Sequence, residues 1–521
     1  MRSIRTRLMK AAAAALMVGL ALTACSGSSE TDPPEGEAGA ALPDDQQNLT
    51  FVPNYGWAGS DISKAPLEIG MNIALKQTLE PLVTLDNEAQ PQPHLAESWE
   101  WTTPTTLEIK IREGVTFSDG TPLVSGDVKG TLERYLAQKQ ALHAVLSIIT
   151  GIEAPDDSTV ILTTSAPTGT LVGVLSLVLI GKGEFSHAEA TAEDDEYWAR
   201  PIGTGPFVIT DYVPNDLFKF ERNDSYWGEK AKLKTLTMKQ ITDANGKLTA
   251  LSNNQAQAVQ NVSYDQFETV EAIPDVTLEQ FESLSYYFVW FMNDRAPLDN
   301  PDVRRAMWMA LDLPTIVESL YGESREVMDS FCPAAAFGCV PAENMPTYDP
   351  EGAKKLLADA GYPDGFTVDI IFSLANATDN ALAQALISGW KDIGVTVEPR
   401  GLDAASWLAA FTGMDWYMDF QPNQTPTGDA DYTLNRLYSC AAARLGYCNP
   451  ELDALMTQAQ QESDPEVRLD LYQQVVNIMA EDTPAIPLFS TKVNVAYRDN
   501  VQGLTVPPTE FINFSTVYLT E

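Results

Sequence analysis

The stretch GFTVDIIFSLANATDNALAQALISGWKDIGVTVEPR, residues 365–400, decides the fold class. Its two ends, GFTVDIIFS and GVTVEPR, are rich in the β-branched and aromatic residues that fit a pleated strand. Between them Ala381–Ile393 is apolar with helical character, and Gly394 closes it, since glycine accepts the left-handed backbone in which helices end. Strand, helix and strand in that order make a local α/β unit, and the chain is expected to be α/β.

Working outward, alternation marks further strands. TLEIKIR (106–112) puts Leu107, Ile109 and Ile111 on one face, and STVILTT (158–164) alternates in the same way. SYYFVWFMN (285–293) is continuously apolar, the pattern of a strand covered on both faces. Helix starts are marked by Asn300-Pro301, Asp349-Pro350, Asn449-Pro450 and Asp464-Pro465, each an N-cap side chain before proline at the first helical position. In the last of these helices Val467, Leu471, Val475 and Ile478 predict one apolar stripe. Gly203, Gly205 and Pro206 predict a tight, φ-restricted turn into the strand FVIT, and Asp119-Gly120 a turn after GVTF. Trp99, Trp227 and Trp308 read as core aromatics.

The chain has 521 residues. Single cores stop growing near about 250–300 residues, so two or more lobes are expected. Hydrophobic residues make up 44%, a globular value that excludes wholesale disorder. With 72 acidic and 33 basic residues the formal net charge is −39, so nucleic acid is a poor partner. The acid is spread along the chain, as on a solvated surface; an acidic site for a cationic ligand is the alternative.

The first residues read as a targeting segment. Arg2, Arg5, Arg7 and Lys10 precede the apolar run Ala11–Ala24, which at 14 residues is short of the roughly 20 a spanning helix needs. It ends in Leu22-Thr23-Ala24-Cys25, which resembles the bacterial lipobox, whose cysteine receives lipid and becomes the new N-terminus. Residues 26–47, rich in Gly, Ser, Pro and acid, read as a flexible tether, with order beginning near Leu49. The apolar run in GTLVGVLSLVLIGKG (169–183) is too short to span and reads as a buried core helix. Once Cys25 is set apart, four of the five cysteines remain in two close pairs, Cys332 with Cys339 and Cys440 with Cys448. Outside the cytoplasm such pairs suggest two disulfides; a metal site is the alternative, though no histidine lies near and neither spacing is C-x2-C.

Catalytic signatures do not emerge. His94, His143 and His187 are isolated, and no H-E-x-x-H, G-x-S-x-G, G-x-x-x-x-G-K-[ST] or G-x-G-x-x-G pattern occurs. No enzyme activity, cofactor or metal is therefore expected. An exported, anchored, multi-lobed chain of this kind favours binding.

Five blocks in order then carry a resemblance. LEPLVTLDNEAQPQPHLAESWEWTTPTTLEIKIREGVTFSDGTPLVSGDV (79–128) is similar to the signature of family 5 extracellular solute-binding proteins, the dipeptide-, oligopeptide- and nickel-binding components of ABC importers. The blocks at 201–228, 293–312, 348–366 and 448–489 continue the match. The resemblance implies a two-lobed, periplasmic-binding-protein type II-like α/β fold with a ligand cleft between lobes that close as a hinge. Mapped onto this chain, lobe I spans 48–285 and 490–521 with a subdomain inserted at 80–195, and lobe II spans 286–489. The segments 285–293 and 484–495 are the crossings. The implied partners are a small solute, most often a peptide, and an ABC permease with its ATPase subunits. The implied setting is a monomer anchored by lipid on Cys25 at the outer face of the cytoplasmic membrane. A hydrolase reusing this fold, or an adhesive lipoprotein with a vestigial cleft, are the readings of other classes.

The ligand anchors depart from the dipeptide branch. LYSCAAARLGYCNPELDALM resembles the cysteine loop of dipeptide binders. Yet in the matching stretch QPNQTPTGDAD (421–431), Asn423 replaces the family's tryptophan and Pro426 its amine-binding aspartate, while Asp429 matches a second acid. Asp429 is thus the candidate amine anchor by a shifted alignment, or else it caps a turn. The region expected to carry a carboxylate-binding arginine, residues 372–390, holds no Arg or Lys. An unpaired buried carboxylate is costly, so the counter-charge must lie elsewhere or the ligand must differ: a longer peptide held through backbone hydrogen bonds or a neutral or cationic solute fits equally well, and an oligosaccharide, opine or nickel complex is the non-peptide alternative. Asn423, Gln424, Thr425 and Thr427 are candidate hydrogen-bonding groups, and Trp407 and Trp416 candidate stacking faces.

Overall fold

The strand–helix–strand unit folds as its pattern predicts. Thr367–Ser373 and Thr396–Leu402 pair in parallel in unbroken register, joined by the helix Ala377–Asp392. The computed structural model describes residues 39–57, 59–62, 69–86, 89–138, 142–183, 197–374 and 377–521. The targeting segment, Cys25, most of the expected tether and His187 lie outside them.

One eleven-stranded sheet runs through the described residues. Its order is Phe207–Val213, Leu217–Arg222, Thr235–Lys239, Asn48–Val52, Ala258–Gln260, Ala485–Arg498, Val276–Phe291, Met418–Gln424, Thr367–Ser373 and Thr396–Leu402, with the short strand Arg325–Val327 added against Ala485–Arg498. A separate four-stranded antiparallel sheet orders Ala96–Thr103, Thr106–Ile111, Thr159–Thr164 and Ile149–Asp156 beside the helix Ser125–Gln138. It lies within residues 80–195, where the resemblance implies the inserted subdomain.

Two large hydrophobic cores sit on this frame. One draws on residues from Leu49 to Ala258 and again from Val493 to Leu519. The other draws only on residues between Leu284 and Phe489. The strands Val276–Phe291 and Ala485–Arg498 feed both, the first through Phe281 and Leu284, the second through Val493 and Leu488. Each of the two strands therefore passes from one core into the other, as expected of the crossings. Their antiparallel register runs from Val276 opposite Arg498 to Glu282 opposite Lys492, breaks, and resumes at Tyr286 opposite Ser490. Ser283, Leu284 and Ser285 therefore face Thr491 alone. A bulge of this kind bends a strand and frees its polar groups for other partners. Leu284 N donates to Pro508 O at 2.9 Å, Thr425 N donates to Leu284 O at 3.0 Å, and the Thr491 hydroxyl donates to Ser285 O at 3.1 Å.

The four Asx-Pro helix starts are capped as read: the side chains of Asn300, Asp349, Asn449 and Asp464 each accept an amide of the first turn. Trp308 is buried, and Trp99 and Trp227 are half-buried against the first core. Four details differ from the sequence reading. Residues 169–183 are buried as expected, but as the helical turns Leu171–Val174 and Leu175–Leu177 followed by the strand Leu179–Ile180. In Pro465–Asp482 the buried face is Arg468, Tyr472, Val475, Val476, Met479 and Ala480, whereas Val467 is 43% exposed. The helix is rotated from the apolar stripe because Arg468 and Tyr472 are buried against an acid. Gly203 is needed for proximity and not for φ, since a Cβ there would lie 1.9 Å from Thr78 O. The end of the expected tether is held to the body: Leu42 N donates to Leu519 O at 2.8 Å, and buried Gln47 donates to Leu42 O and Leu519 O, both at 2.9 Å.

Glu80 ties the inserted subdomain to the rest of the first lobe. Its carboxylate, 5% exposed, is within 2.9 Å of His94 Nε2 and accepts from the Thr204 hydroxyl at 2.7 Å, the Tyr226 hydroxyl at 2.6 Å and Trp227 Nε1 at 2.9 Å. Removing this acceptor strands several donors, and stranded buried partners cost far more than the net value of the bonds they made. Glu80→Leu is expected to lower stability by about 3–5 kcal/mol, read as a lower urea midpoint by tryptophan fluorescence. An unchanged midpoint rules this role out.

Candidate functional site

The register break in the crossing strands is where the two lobes bring polar groups together. The first lobe contributes Tyr55, just beyond the strand Asn48–Val52, and Glu510 in the C-terminal segment. The second contributes Tyr287 on the crossing strand, Tyr321 at the end of the helix Leu313–Tyr321, Arg325, and Asp379 in the first turn of Ala377–Asp392. Arg325 is opposite Thr491, the residue that faces the bulge.

Arg325 is the charge at the centre of this group. Its guanidinium lies 5.5 Å from the Tyr321 ring centroid. Nη1 donates to Ser324 O at 2.8 Å, and Nε is buried with no hydrogen-bond partner among the described residues. Burial pulls the guanidinium below its usual range, while Tyr287, Tyr321, Tyr55 and Glu510 favour the charged form.

Phe489 holds the two inner tyrosines. Tyr287 stacks on it at 5.1 Å and Tyr321 packs tilted on it at 5.0 Å. The Tyr287 hydroxyl donates to Asp379 Oδ1 at 3.4 Å. Burial, then the Asp379 charge, pushes Tyr321 up to about 12 and Tyr287 well above the ordinary phenol range. Tyr55 keeps 39% of its surface exposed. Glu510 is 2% exposed and accepts from the hydroxyls of Ser283 and Ser285 at 2.6 and 2.8 Å. Burial raises its carboxyl, while those two donors and Arg325 oppose the rise. Beside it Lys76 Nζ lies 4.0 Å over the Phe511 ring and 3.4 Å from Ser176 O, and burial lowers its ammonium to about 7. Charge, hydroxyls and ring faces meet here beside both crossing strands, which suits recognition of a polar solute.

The candidates read from the sequence lie on the second lobe but do not converge. Asn423 is opposite Tyr286; it donates to the Tyr286 hydroxyl and accepts from Arg436 Nη2, both at 2.6 Å. Gln424 is opposite Ser285, at the bulge, and its Nε2 is buried without a partner. Of the neutral candidates it alone sits beside the cleft with an unused donor. Thr425 is fully buried with its hydroxyl 2.8 Å from that of Thr433, and Thr427 is buried with its hydroxyl 3.5 Å from Asp429 O.

Asp429 caps the helix Ala430–Tyr438 through Asp431 N at 3.0 Å. Its carboxylate is also paired with Arg468 Nη2 at 2.8 and 2.9 Å and accepts from the Tyr472 hydroxyl at 3.1 Å. The capping role is what its geometry displays, and its charge is met inside the lobe. Burial, then Asp429, raises neighbouring Asp431 to about 6. Trp407 donates to Asp419 at 2.9 Å and stacks on Phe411, which in turn stacks on Trp416. Trp416 is 2% exposed and presents no ring to a solute. The cysteines pair as Cys332–Cys339 and Cys440–Cys448. His94 is bonded to Glu80, and His143 Nδ1 to Leu136 O.

Arg325, Tyr321 and Glu510 were not singled out by any motif. YGESREV has no periodicity that separates an edge strand from a loop, and SYYFVWFMN reads as core throughout although Tyr287 turns its hydroxyl to the cleft.

Comparison with known proteins places this geometry. Residues 90–444 match the family described as bacterial extracellular solute-binding proteins, family 5 Middle. The chain is 26% identical over 456 residues to the glutathione-binding protein GsiB of Shigella boydii, covering 84% of this chain and 88% of that one. Among solved structures it is similar to the dipeptide-binding protein of a Pseudoalteromonas species in complex with Met-Leu, with a TM-score of 0.79, 22% identity, and coverage of 91% of this chain and all of that one. It is equally similar in fold to AgaA of A. tumefaciens in complex with agropinic acid, with a TM-score of 0.78, 23% identity, and coverage of 91% and 99%. The two-lobed architecture and the family both follow: this chain belongs to the bacterial extracellular solute-binding proteins of family 5.

Proposed function

We propose that the chain is the receptor of an ABC importer, that it captures a peptide between its lobes, and that it hands this solute to a membrane permease driven by an ATPase. The lobe boundaries are those the sequence implies, near 285 and 489, and the receptor works as a monomer without chemistry of its own. The observation that carries this reading is the junction itself: two separate cores, joined by two crossing strands that break register where Tyr55, Tyr287, Tyr321, Arg325 and Glu510 converge. A solute that touches both sides of such a junction favours the closed arrangement by its differential affinity for it. The likeness to a glutathione-binding protein supports a peptide.

Ligand binding to the folded form raises its apparent stability by mass action, about 2.7 kcal/mol at a hundredfold excess over Kd. Di- and tripeptides, glutathione among them, are expected to raise the melting temperature and to shrink the solution-scattering radius together. Stabilisation by an opine, oligosaccharide or nickel complex alone would replace the peptide, and turnover of the peptide by pure protein would restore the hydrolase reading.

Closure has its own test. Gly169, in the inserted subdomain, donates its amide to Gln460 O of the second lobe at 2.7 Å, and a Cβ on it would lie 2.3 Å from Glu462 O. Gly169→Ala should leave the melting temperature of the empty protein unchanged while weakening binding of a peptide that stabilises the wild type, on the order of tenfold, because the closed state becomes rarer. Equal affinity would mean that this rim does not approach on binding.

Cys25 we assign to lipid attachment, with the residues after it as tether. One acyl chain is a marginal anchor, so retention requires more than one. Cys25→Ser should move the receptor from the membrane to the soluble fraction of expressing cells with its peptide affinity intact; a variant that stays in the membrane fraction contradicts the assignment.

A further inference from the structure

Arg325 is a cation whose situation the fold itself does not explain. Two buried arginines elsewhere in the second lobe, Arg468 and Arg304, are saturated, whereas Arg436 shares the unpartnered Nε of Arg325 but spends its Nη2 on Asn423 Oδ1 at 2.6 Å, inside the lobe. Arg468 meets Asp429, Tyr472 and Ala459 O. Arg304 spends its guanidinium on the carbonyls of Thr483, Leu298 and Asp482, capping the end of a helix. Arg325 has one hydrogen bond among the described residues, to the carbonyl of the residue before it, and its Nε is buried without a partner. The nearest acids are committed elsewhere: Glu510 to Ser283 and Ser285, and Asp379 receives the Tyr287 hydroxyl. A desolvated guanidinium without a carboxylate is costly unless something completes it.

Position adds a second, independent observation. The strand Arg325–Val327 hangs on the crossing strand Ala485–Arg498 at Thr491, opposite the bulge, between groups of both lobes. The helix Ala377–Asp392, whose N-terminal region is where the family resemblance leads one to seek a carboxylate-binding cation, begins with the acid Asp379 in place of a base. The cation missing there is present at Arg325, on a different element facing the same junction. Lys76, over the Phe511 ring, is lowered to about 7 by burial, whereas a guanidinium keeps its charge across the physiological range and offers a planar fork to a carboxylate.

We infer that Arg325 is the specificity-determining residue of the cleft and takes a carboxylate of the bound solute, with the Tyr321 ring beneath the guanidinium fixing its plane. This rests on the receptor reading above and narrows it to acids. The carboxylate has two possible sources, the C-terminus of a peptide or the acid group of a non-peptide solute, and both present the same planar anion. In a chain of net charge −39, a single recessed arginine also gives an acid the one local attraction it needs to enter a surface that otherwise repels it.

The test uses the full-length chain and its Arg325→Gln and Arg325→Lys variants, followed by thermal shift and calorimetry. The probes are trialanine, trialanine C-terminal amide, reduced glutathione, glutarate and maltotriose. Loss of a charge-assisted bidentate contact weakens binding on the order of 10- to 100-fold. Trialanine and glutathione should lose that much on Arg325→Gln and less on Arg325→Lys, while the amide binds wild type and Arg325→Gln alike. The empty Arg325→Gln protein should melt close to wild type, since the guanidinium gives up one hydrogen bond to a carbonyl and no direct ion pair, only a longer-range attraction to Glu510; an arginine held for structure alone would lower it markedly. If the peptides bind wild type and Arg325→Gln equally, the inference is overturned and the peptide receptor stands. If glutarate alone binds, and only with Arg325 present, the peptide reading falls and Arg325 keeps its role. If maltotriose alone stabilises the wild type, or if no probe does, both are overturned.

Discussion

The whole arrangement depends on one pair of antiparallel strands, Val276–Phe291 and Ala485–Arg498, and on the place where their ladder breaks. A continuous ladder across two lobes would weld them, because every intermediate hydrogen bond resists bending. With three residues opposing one at Ser283–Ser285, the strands bend there and their freed backbone groups are met by Pro508, Thr425 and Thr491 instead. The same break gathers Glu510 against two serine hydroxyls and sets the edge strand of Arg325 against Thr491. The feature that lets the lobes move relative to one another is therefore also the feature that assembles polar groups between them. In the proposed reading, hinge and site share a location because they share a cause.

Buried charge is handled in one way inside the lobes and in another at the junction between them. Within the second lobe, Asp429, Arg468 and Tyr472 form a closed set in which the acid also caps a helix and the base also packs over Phe337 at 4.8 Å. Glu80 in the first lobe is completed likewise by four neighbours. These groups fix structure, because any ligand competing for them would have to displace a partner already in place. Arg325 is not completed in this way: its Nε is buried without a partner at the junction itself, which is why the proposed recognition role falls to it.

The fold was legible in the sequence to a large extent, and the reasons are local. Residues 365–400 carry strand and helix periods that agree with their final packing, and four Asx-Pro pairs place helix starts where the caps form. Where the reading slipped, tertiary pairing overrode pattern. Pro465–Asp482 turns Arg468 and Tyr472 inward, which apolar periodicity scores as a solvent face, because their partner Asp429 lies on a distant segment. Residues 169–183 carry enough apolar residues for a helix, but Leu179–Ile180 pairs with Glu80–Pro81 and ends it.

The site was legible only as a region. Resemblance led to residues 421–431, and Gln424 does reach the bulge, but Asn423, Thr425 and Asp429 are spent on Tyr286, Thr433 and Arg468. The proposed cleft draws on five separate stretches, at Tyr55, Tyr287, Tyr321 with Arg325, Asp379 and Glu510, and no window of sequence contains more than a fragment of it. A lobed receptor makes this unavoidable. Its site must draw on both lobes if binding is to favour closure, so its residues are necessarily remote in the chain, and each sits on an element whose local pattern serves a core. Sequence pattern reports on the cores, because each core is large and repetitive. It is silent on the junction, because there each residue answers to partners that only the folded chain supplies. The negative charge of the chain sharpens the point: among so many acids the informative residue at the junction is a base, and it is visible only once its missing partner can be counted.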